Sequence, residues 1–263
     1  MYSFDRTLPN GKVISIRLPR MPHLRANVTY VCDRKCPNCN RACAVAPSWS
    51  GENITVEAYR KALVDCKAVG TKLTKLILTG GEPTMHPDFE ELADIAMDYK
   101  NSFAPDCGVW VSTYHHPVFF ERLERAIKKN PGLQIMGLPK AKPRNHDYAP
   151  YVAPIDSPIN IPPDHFYNGC HLNGSLCGMT VDYKGFYCCP VAPAIARVFN
   201  LDVAIKNFAD VSVDSLVAQY DTVCRLCGCY TMARAHGKEP ISPSWERALK
   251  EYKQRKADSI TKK

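Results

Sequence analysis

Residues 27–39 read NVTYVCDRKCPNC and join a strand-like run to a loop that carries three cysteines. Residues 27–31 are rich in β-branched and aromatic side chains, which predicts a short β-strand. Cys32, Cys36 and Cys39 follow directly with the spacing C-x3-C-x2-C. Three thiolates in one loop can hold three irons of a cubane cluster and leave the fourth iron without a protein ligand. A structural zinc ion wants four ligands, and Cys43 could supply the fourth, so both kinds of metal site fit this loop.

Strand-like and helix-like segments alternate along this half of the chain. The predicted strands cover residues 27–31, 73–79, 108–113 and 133–138. Helices are predicted over residues 56–69, with Thr55 as N-cap, and after Pro87 and Pro117, because proline suits a first helical turn. Such alternation is typical of a parallel α/β sheet, wound as a barrel or as a doubly wound layer. In either architecture the functional loops lie at the carboxyl ends of the strands.

A second motif, TGGEP at residues 79–83, stands at the end of the second predicted strand. A double glycine lets the backbone pass close to a ligand, and the Glu82 carboxylate can accept hydrogen bonds from an ammonium group. Taken alone, this pattern is typical of a turn. Its position beside the cysteine loop, at the edge where a parallel barrel places its chemistry, indicates a binding function.

In this order and on these strands, the two motifs resemble those of the radical S-adenosylmethionine superfamily. The resemblance covers residues 27–138 and implies a partial (β/α)6-type TIM barrel. It implies that Cys32, Cys36 and Cys39 hold a [4Fe-4S] cluster whose open iron takes the amino and carboxylate groups of S-adenosylmethionine. The position before the third cysteine is usually aromatic and touches the adenine, whereas here it is Asn38. The other residues that the resemblance places against the cofactor are Gly80, Gly81, Glu82, Pro83, Ser112 and Thr113.

The resemblance also implies a class of reaction. One-electron reduction, from a donor such as flavodoxin or ferredoxin, cleaves a carbon–sulfur bond of S-adenosylmethionine, and the 5'-deoxyadenosyl radical abstracts hydrogen from an unactivated carbon. The cofactor carries this step, while the protein binds, orients and excludes water. Oxidation, epimerisation or rearrangement of a small biosynthetic substrate would follow. Only 31 residues precede Cys32, too few for a fused leader-peptide-binding domain, so we expect a small molecule, with peptide modification as the alternative.

Seven of the 13 cysteines fall between residues 170 and 229. They surround a predicted hairpin of residues 179–182 and 186–189 and end in a C-x2-C pair, so a four-thiolate site for iron or zinc can form there. This layout resembles the twitch or SPASM-type extensions of the same superfamily. It implies one auxiliary [4Fe-4S] cluster that takes an electron from the substrate radical, as in a sugar-alcohol dehydrogenase of similar layout. The ligands we expect are Cys170, Cys189, Cys224 and Cys227, with Cys177, Cys188 and Cys229 as alternates.

Composition and charge bound the remaining classes of function. With 45% hydrophobic and 23% charged residues, the chain has the make-up of a globular protein. The first residues carry scattered charges without an apolar signal segment, and no run suits a membrane helix, so we expect a cytoplasmic protein with reduced thiols and no membrane partner. The net charge of +8 is concentrated at residues 1–31 and 246–263. Solvent-exposed chain ends explain this positive charge better than nucleic-acid binding does. The competing class is a non-enzymatic zinc or iron–sulfur protein that binds nucleic acid.

Some residues outside the motifs have less specific roles. His115 and His116 follow the third predicted strand and could reach the site or mark a helix start at the surface. Cys66 and Cys107 are predicted to be structural, because one lies on an apolar helix face and the other just before a strand. The chain divides into an N-terminal extension, the partial barrel, the twitch-like cysteine-rich domain, and a basic C-terminal helix and tail, at residues 1–26, 27–165, 166–240 and 241–263.

Overall fold

A computed structural model describes residues 3–8, 10–17, 21–48, 50–137, 149–158, 161–162, 170, 178–230 and 241–261. Its strands are β1 (Ser3–Thr7), β2 (Val13–Arg17), β3 (His23–Thr29), β4 (Lys75–Gly80), β5 (Gly108–Ser112), β6 (Leu133–Met136), β7 (Met179–Asp182) and β8 (Gly185–Tyr187). Its helices are α1 (Val56–Ala68), α2 (Phe89–Phe103), α3 (Phe120–Lys129), α4 (Ala192–Phe199), α5 (Val213–Val223) and α6 (Pro243–Thr261). Short 3-10 turns lie between several of these elements.

Six strands form one mixed, mostly parallel sheet in the order β6-β5-β4-β3-β7-β8. Strands β3 to β7 run parallel to their neighbours, and only β8 pairs antiparallel, with β7. The prediction of an α/β fold with a parallel sheet is therefore confirmed. Among the described strands, β7 lies beside β3, so the chain crosses from β6 to the opposite side of the sheet. The consecutive order of a (β/α)6 barrel is not seen in these strands, and the partial barrel remains a prediction.

Helices α1 and α2 pack against each other, and α2 contacts β5. In α1 the buried residues Tyr59, Leu63 and Cys66 recur at helical spacing, as the sequence predicts. The Thr55 hydroxyl accepts a hydrogen bond from the Ala58 amide at 3.1 Å, which confirms the predicted N-cap. Because β3, β4, β5 and β6 run parallel, their carboxyl ends lie along one edge of the sheet.

The N-terminal part contains structure that the pattern does not predict. β3 begins at His23 and not at residue 27, so the end of the predicted extension belongs to the main sheet. β1 and β2 pair as an antiparallel hairpin within that extension. The hairpin buries Ile14 and Ile16, and this apolar burial stabilises it.

The predicted hairpin of the C-terminal part is present with one change. β8 ends at Tyr187, so Cys188 and Cys189 come after the returning strand and not on it. Helix α4 then follows, although Pro193 argues against a helix there. Proline is tolerated because it stands in the first turn, where its missing amide hydrogen has no helical partner to lose. Of the alternate ligands, Cys177 lies outside the described residues, as does residue 138 at the end of the fourth predicted strand.

The C-terminal helix α6 is only partly the solvated face that its basic composition suggests. Arg247, Lys250 and Lys253 are exposed, as expected of such a face. The opposite side packs against α4. Its buried residues are Trp245, Ala248, Leu249 and Tyr252. In the described part of the chain, no helix combines the length and apolar character needed to cross a membrane.

Candidate functional site

The two motifs meet at the carboxyl ends of neighbouring strands. The cysteine loop follows β3, and the GGEP turn follows β4, which pairs parallel with β3. The Gly81 amide donates to the Thr29 carbonyl at 2.8 Å, and the Glu82 amide donates to the Val31 carbonyl at 2.9 Å. The β4 turn is thus bonded to the strand end from which Cys32 projects, which is the arrangement the sequence predicts.

The two glycines are needed for contact with this strand end. A Cβ at Gly80 would lie 2.1 Å from the Thr29 carbonyl oxygen, and Gly80 has a φ of +142°, which disfavours other residues. A Cβ at Gly81 would lie 2.2 Å from the Val31 carbonyl oxygen and 2.9 Å from the Cys32 Cβ. The sequence predicts that these glycines let the backbone pass close to a ligand. In the structure, they let the turn approach the cysteine loop.

Glu82 is fully buried and connects the ends of β4 and β5. Its Oε1 accepts from the Thr84 amide at 3.1 Å and from the hydroxyls of Thr84 and Thr113, each at 2.7 Å. Its Oε2 accepts from the Tyr114 amide at 3.1 Å. The carboxylate predicted to receive an ammonium group therefore also receives four protein donors, and Thr113, a second predicted contact, is one of them.

The remaining predicted cofactor positions lie around Glu82. Pro83 is buried and begins a 3-10 turn (Pro83–Met85). Ser112 ends β5, where it pairs with Met136. Asn38 is buried with a φ of +53°, in the left-handed region that asparagine tolerates better than most residues. Asn38 thus suits the backbone of the loop at the position where the resemblance predicts an aromatic side chain.

A polar network joins the cysteine loop to the segment after β5. Asp33 accepts hydrogen bonds from the Tyr114 hydroxyl and from His116 Nε2, the latter at 3.0 Å. The Arg34 guanidinium lies 3.9 Å from the centre of the Tyr114 ring. Burial, followed by the bond to Asp33, raises the pKa of Tyr114 well above its usual value. His116 therefore orients the cysteine loop, whereas His115 has a left-handed backbone and a buried Nε2 without a hydrogen-bond partner.

The three cysteines of the first motif are partly exposed. Burial raises the pKa of the Cys32 thiol to about 12. A hydrogen bond from the Cys43 thiol lowers the pKa of Cys39 to about 6, which favours its thiolate form. Thiolates are the donors that iron–sulfur clusters and zinc both use, so this donor set suits the predicted cluster. Cys43 is buried, and its thiol lies 3.8 Å from the Arg41 carbonyl oxygen.

The C-terminal cysteines also come together. Burial raises the pKa of Cys224 well above its usual value, and the charges of Cys189, Cys227 and Cys170 add to this effect. The four predicted ligands therefore lie close enough to interact electrostatically. A hydrogen bond from the Cys188 thiol lowers the pKa of Cys189 to about 7.

No three His, Cys, Asp or Glu side chains among the described residues are arranged to hold a single metal ion. This finding applies to sites in which several ligands converge on one ion. In a cubane cluster each thiolate binds a different iron, so the ligand sulfurs lie around the cluster and do not converge on one point. Cys66 and Cys107 are both completely buried, as expected of structural cysteines.

The two cysteine groups are linked through intervening side chains. Arg41 lies close enough to both Cys39 and Cys189 to favour their thiolates, so one cation serves both groups. The Tyr151 hydroxyl donates to the Cys39 carbonyl at 2.6 Å, and its ring contacts Trp245 edge-on with centroids 5.0 Å apart. The Trp245 indole in turn donates to the Leu226 carbonyl at 2.7 Å, between Cys224 and Cys227.

Two buried polar groups near the site are not predicted from the sequence. Asp182, at the end of β7, accepts from the Tyr30 hydroxyl and the Lys184 amide, both at 2.8 Å. Burial raises the pKa of Asp182 to about 6. The sequence feature that indicates Asp182 is its position before a tight turn, where aspartate is common. The other group is Arg197, for which no local pattern distinguishes a buried arginine from an exposed one.

Comparison with known proteins supports the iron–sulfur character of the first motif. Residues 25–137, under half of the chain, match the model of a family described as a 4Fe-4S single cluster domain. The match includes both N-terminal motifs and ends before Cys170, so it bears on the first cysteine loop and not on the C-terminal cysteines. No curated protein matches this sequence.

Two solved structures are similar to this chain. One is the crystal structure of BtrN in complex with AdoMet and 2-DOIA, with a TM-score of 0.32 and 13% identity over 41% of this chain and 42% of that chain. The chain thus spans less than half the length of that BtrN chain. The other is the crystal structure of SeMet BtrN in an open conformation, with a TM-score of 0.44 and 10% identity over 83% of this chain and 94% of that chain.

Proposed function

We propose that this protein is a radical S-adenosylmethionine enzyme that oxidises or rearranges a small molecule. The observation that carries the proposal is the meeting of the C-x3-C-x2-C loop and the GGEP turn at adjacent parallel strand ends, within the segment that matches a 4Fe-4S domain. When bound, the cluster and S-adenosylmethionine would supply a 5'-deoxyadenosyl radical for hydrogen abstraction. The partial barrel and a cytoplasmic location belong to the same proposal.

Residues at the edge of β3, β4 and β5 bind and orient these groups. Cys32, Cys36 and Cys39 hold the cluster and leave one iron open. The GGEP turn, together with Ser112, Thr113 and Asn38, surrounds the cofactor. Glu82 acts mainly by holding the β4 and β5 ends together, because four protein donors already bind its carboxylate.

The C-terminal cysteines hold a second, auxiliary [4Fe-4S] cluster in this proposal. Cys170, Cys189, Cys224 and Cys227 are its ligands and lie close enough to interact electrostatically. Contacts through Arg41, Tyr151 and Trp245 support an electron-accepting role, because they keep the two cysteine groups near each other. An external donor such as flavodoxin or ferredoxin would supply the first electron.

Anaerobic reconstitution tests the metal content. We expect about eight irons per chain, four for each cubane, with charge-transfer absorbance in the visible range. Bound zinc without such absorbance would reject the proposal.

Cofactor cleavage tests the division of roles. Reduced wild-type protein should release 5'-deoxyadenosine from S-adenosylmethionine. Cys36→Ala should abolish that release, Cys227→Ala should retain part of it, and Cys66→Ala, a buried cysteine away from both groups, should match wild type. Equal release by the first two variants would contradict the proposed roles. Release stimulated by a candidate small molecule, followed by mass analysis of the product, would identify the substrate.

A further inference from the structure

The first cysteine loop belongs to a long segment with little secondary structure of its own. Between the end of β3 and the start of α1, residues 30–55, the described chain forms one short 3-10 turn (Ser50–Glu52). Loops of this length are uncommon in compact domains and are usually functional. Because no helix or strand in the described part of this segment fixes Cys32, Cys36 and Cys39, contacts with other parts of the chain have to do so.

Arg197, on α4, makes such contacts with the chain that follows the third cysteine. The residue is almost completely buried, with 3% of its surface exposed. Its Nη2 donates to the Arg41 carbonyl at 3.2 Å and to the Ala46 carbonyl at 3.0 Å. A guanidinium presents five N–H donors in a rigid plane, so it can bind two carbonyls and further groups at once. Arg197 therefore fixes the chain that leaves the cysteine loop.

The same guanidinium contacts the chain that enters the loop. The Arg197 Cζ lies 4.4 Å from the centre of the Tyr30 ring, a cation–π contact two positions before Cys32. Tyr30 is fully buried, and its hydroxyl donates to Asp182 at 2.8 Å, so both its ring and its hydroxyl are held. Arg197 thus contacts residues on both sides of the three cysteines.

Glu52 and residues of α6 hold Arg197 in this position. Arg197 Nη1 lies 3.0 Å from Glu52 Oε2 and donates to the Tyr252 hydroxyl at 2.6 Å. Lys256 Nζ lies 2.7 Å from Glu52 Oε1. Two cations and one carboxylate leave one positive charge on this group of side chains. A positive charge beside the loop favours a reduced cluster over an oxidised one, because reduction adds negative charge.

We infer that Arg197 is a positioning residue for the first cluster, because it fixes both ends of the cysteine loop, and that its charge raises the reduction potential of this cluster. This inference rests on the proposed function, which takes Cys32, Cys36 and Cys39 as the cluster ligands. It makes the first cluster depend on α4 and α6, although both helices lie outside the residues 25–137 that match the 4Fe-4S domain.

Chelator challenge and potentiometric titration of the reconstituted holoprotein, both followed by electron paramagnetic resonance, test the inference. Arg197→Lys keeps the charge but lacks the planar set of donors, so its first cluster should lose iron about tenfold faster at a potential close to that of wild type. Arg197→Met should also lower the equilibrium constant for reduction of the first cluster about tenfold, which is about 59 mV for one electron. The second cluster should behave as in wild type in both variants.

Two further variants separate this role from general destabilisation. Tyr252→Phe removes one hydroxyl from Arg197 and keeps the guanidinium, so it should give a smaller effect on the first cluster, and it serves as the test if Arg197→Met does not fold. Tyr99→Phe is the matched control. The buried Tyr99 hydroxyl bonds to Thr71 and Leu73, just before the amino end of β4 and at the sheet edge opposite the cysteine loop. This variant should have a lower unfolding free energy and unchanged clusters.

Several results would overturn the inference. Equal acceleration of iron loss from both clusters in Arg197→Lys, or loss at the rate of Tyr99→Phe, would show that Arg197 supports the fold and not the loop. An unchanged potential of the first cluster in Arg197→Met would reject the effect of the charge. A wild-type protein with both clusters but no cleavage of S-adenosylmethionine would reject the proposed function and leave these measurements valid. A wild-type protein without clusters would reject both.

Discussion

At Gly81 the absence of a side chain decides where the cysteine loop lies. The turn after β4 bonds to the chain after β3 through the amides of Gly81 and Glu82. A methyl group at Gly81 would meet backbone and the Cys32 Cβ, and neither can move without moving the loop. Gly51, in contrast, has open space around the same position.

Gly81→Ala should displace Cys32 and impair assembly of the first cluster. We expect a loss of about four of eight irons after reconstitution, and release of 5'-deoxyadenosine reduced at least tenfold, because the open iron belongs to that cluster. Overpacking of this kind also costs about 1–3 kcal/mol of unfolding free energy. Gly51→Ala is the matched control and should keep both iron and activity. Full iron content in Gly81→Ala would contradict the role assigned to this contact.

At the scale of elements, the start of α6 and the segment around residue 151 connect the two cysteine groups. Tyr151 bonds to the first loop, Trp245 bonds to the second, and the two rings are in contact. Ser242 adds a further tie, because its hydroxyl accepts from the Ala153 amide at 3.0 Å. The C-terminal helix is therefore part of the support for the proposed site.

Trp245→Phe should destabilise the second cluster more than the first. An aromatic ring is kept, but the partly buried Leu226 carbonyl loses its indole donor, which costs about 1 kcal/mol. We expect faster loss of iron from the second cluster in the presence of a chelator, followed by absorbance and paramagnetic resonance. Trp110→Phe, in β5 and away from both loops, should lose iron at the wild-type rate. Equal rates in the two variants would reject this role for α6.

At the scale of the whole molecule, a buried ionic cluster ties distant segments together. Arg197 Nη1 lies 3.0 Å from Glu52 Oε2 and 2.6 Å from the Tyr252 hydroxyl. Its Nη2 donates to the carbonyls of Arg41 and Ala46, just after the cysteine loop. Helices α4 and α6 and the first cysteine loop are thus held by one guanidinium.

Glu52→Gln should destabilise the whole chain, because it leaves the buried Arg197 charge without its carboxylate partner. We expect a loss of about 3–5 kcal/mol in unfolding free energy, measured by denaturant titration of the reconstituted protein. The control is Glu90→Gln, which removes a partly exposed partner of Arg125 and should cost at most about 1 kcal/mol. Similar losses of unfolding free energy in both variants would show that the buried ion pair stabilises the protein no more than the partly exposed pair does.

Whether a sequence prediction is confirmed depends on how far apart in the chain the interacting residues lie. Features set by neighbours along the chain are confirmed, among them the Thr55 cap, the buried stripe of α1, and a strand before each motif. The N-terminal hairpin and α4 are missed, because their order depends on burial against distant segments and not on a strong local pattern. For Gly81, the sequence predicts a close approach of the backbone but not which backbone atoms are approached.

Taken alone, the sequence determines the donor atoms and their spacing, and therefore the kind of metal chemistry that the protein can support. Thiol number and strand periodicity are local properties, so they can be read without a fold. Only the tertiary structure decides that β7 lies beside β3 and that the Arg41 charge lowers the pKa of both Cys39 and Cys189. It also decides that Arg197 donates to the Arg41 carbonyl, just after the first cysteine loop. These contacts join residues far apart in the chain, and they form because folding buries apolar surface and leaves buried charges to be paired.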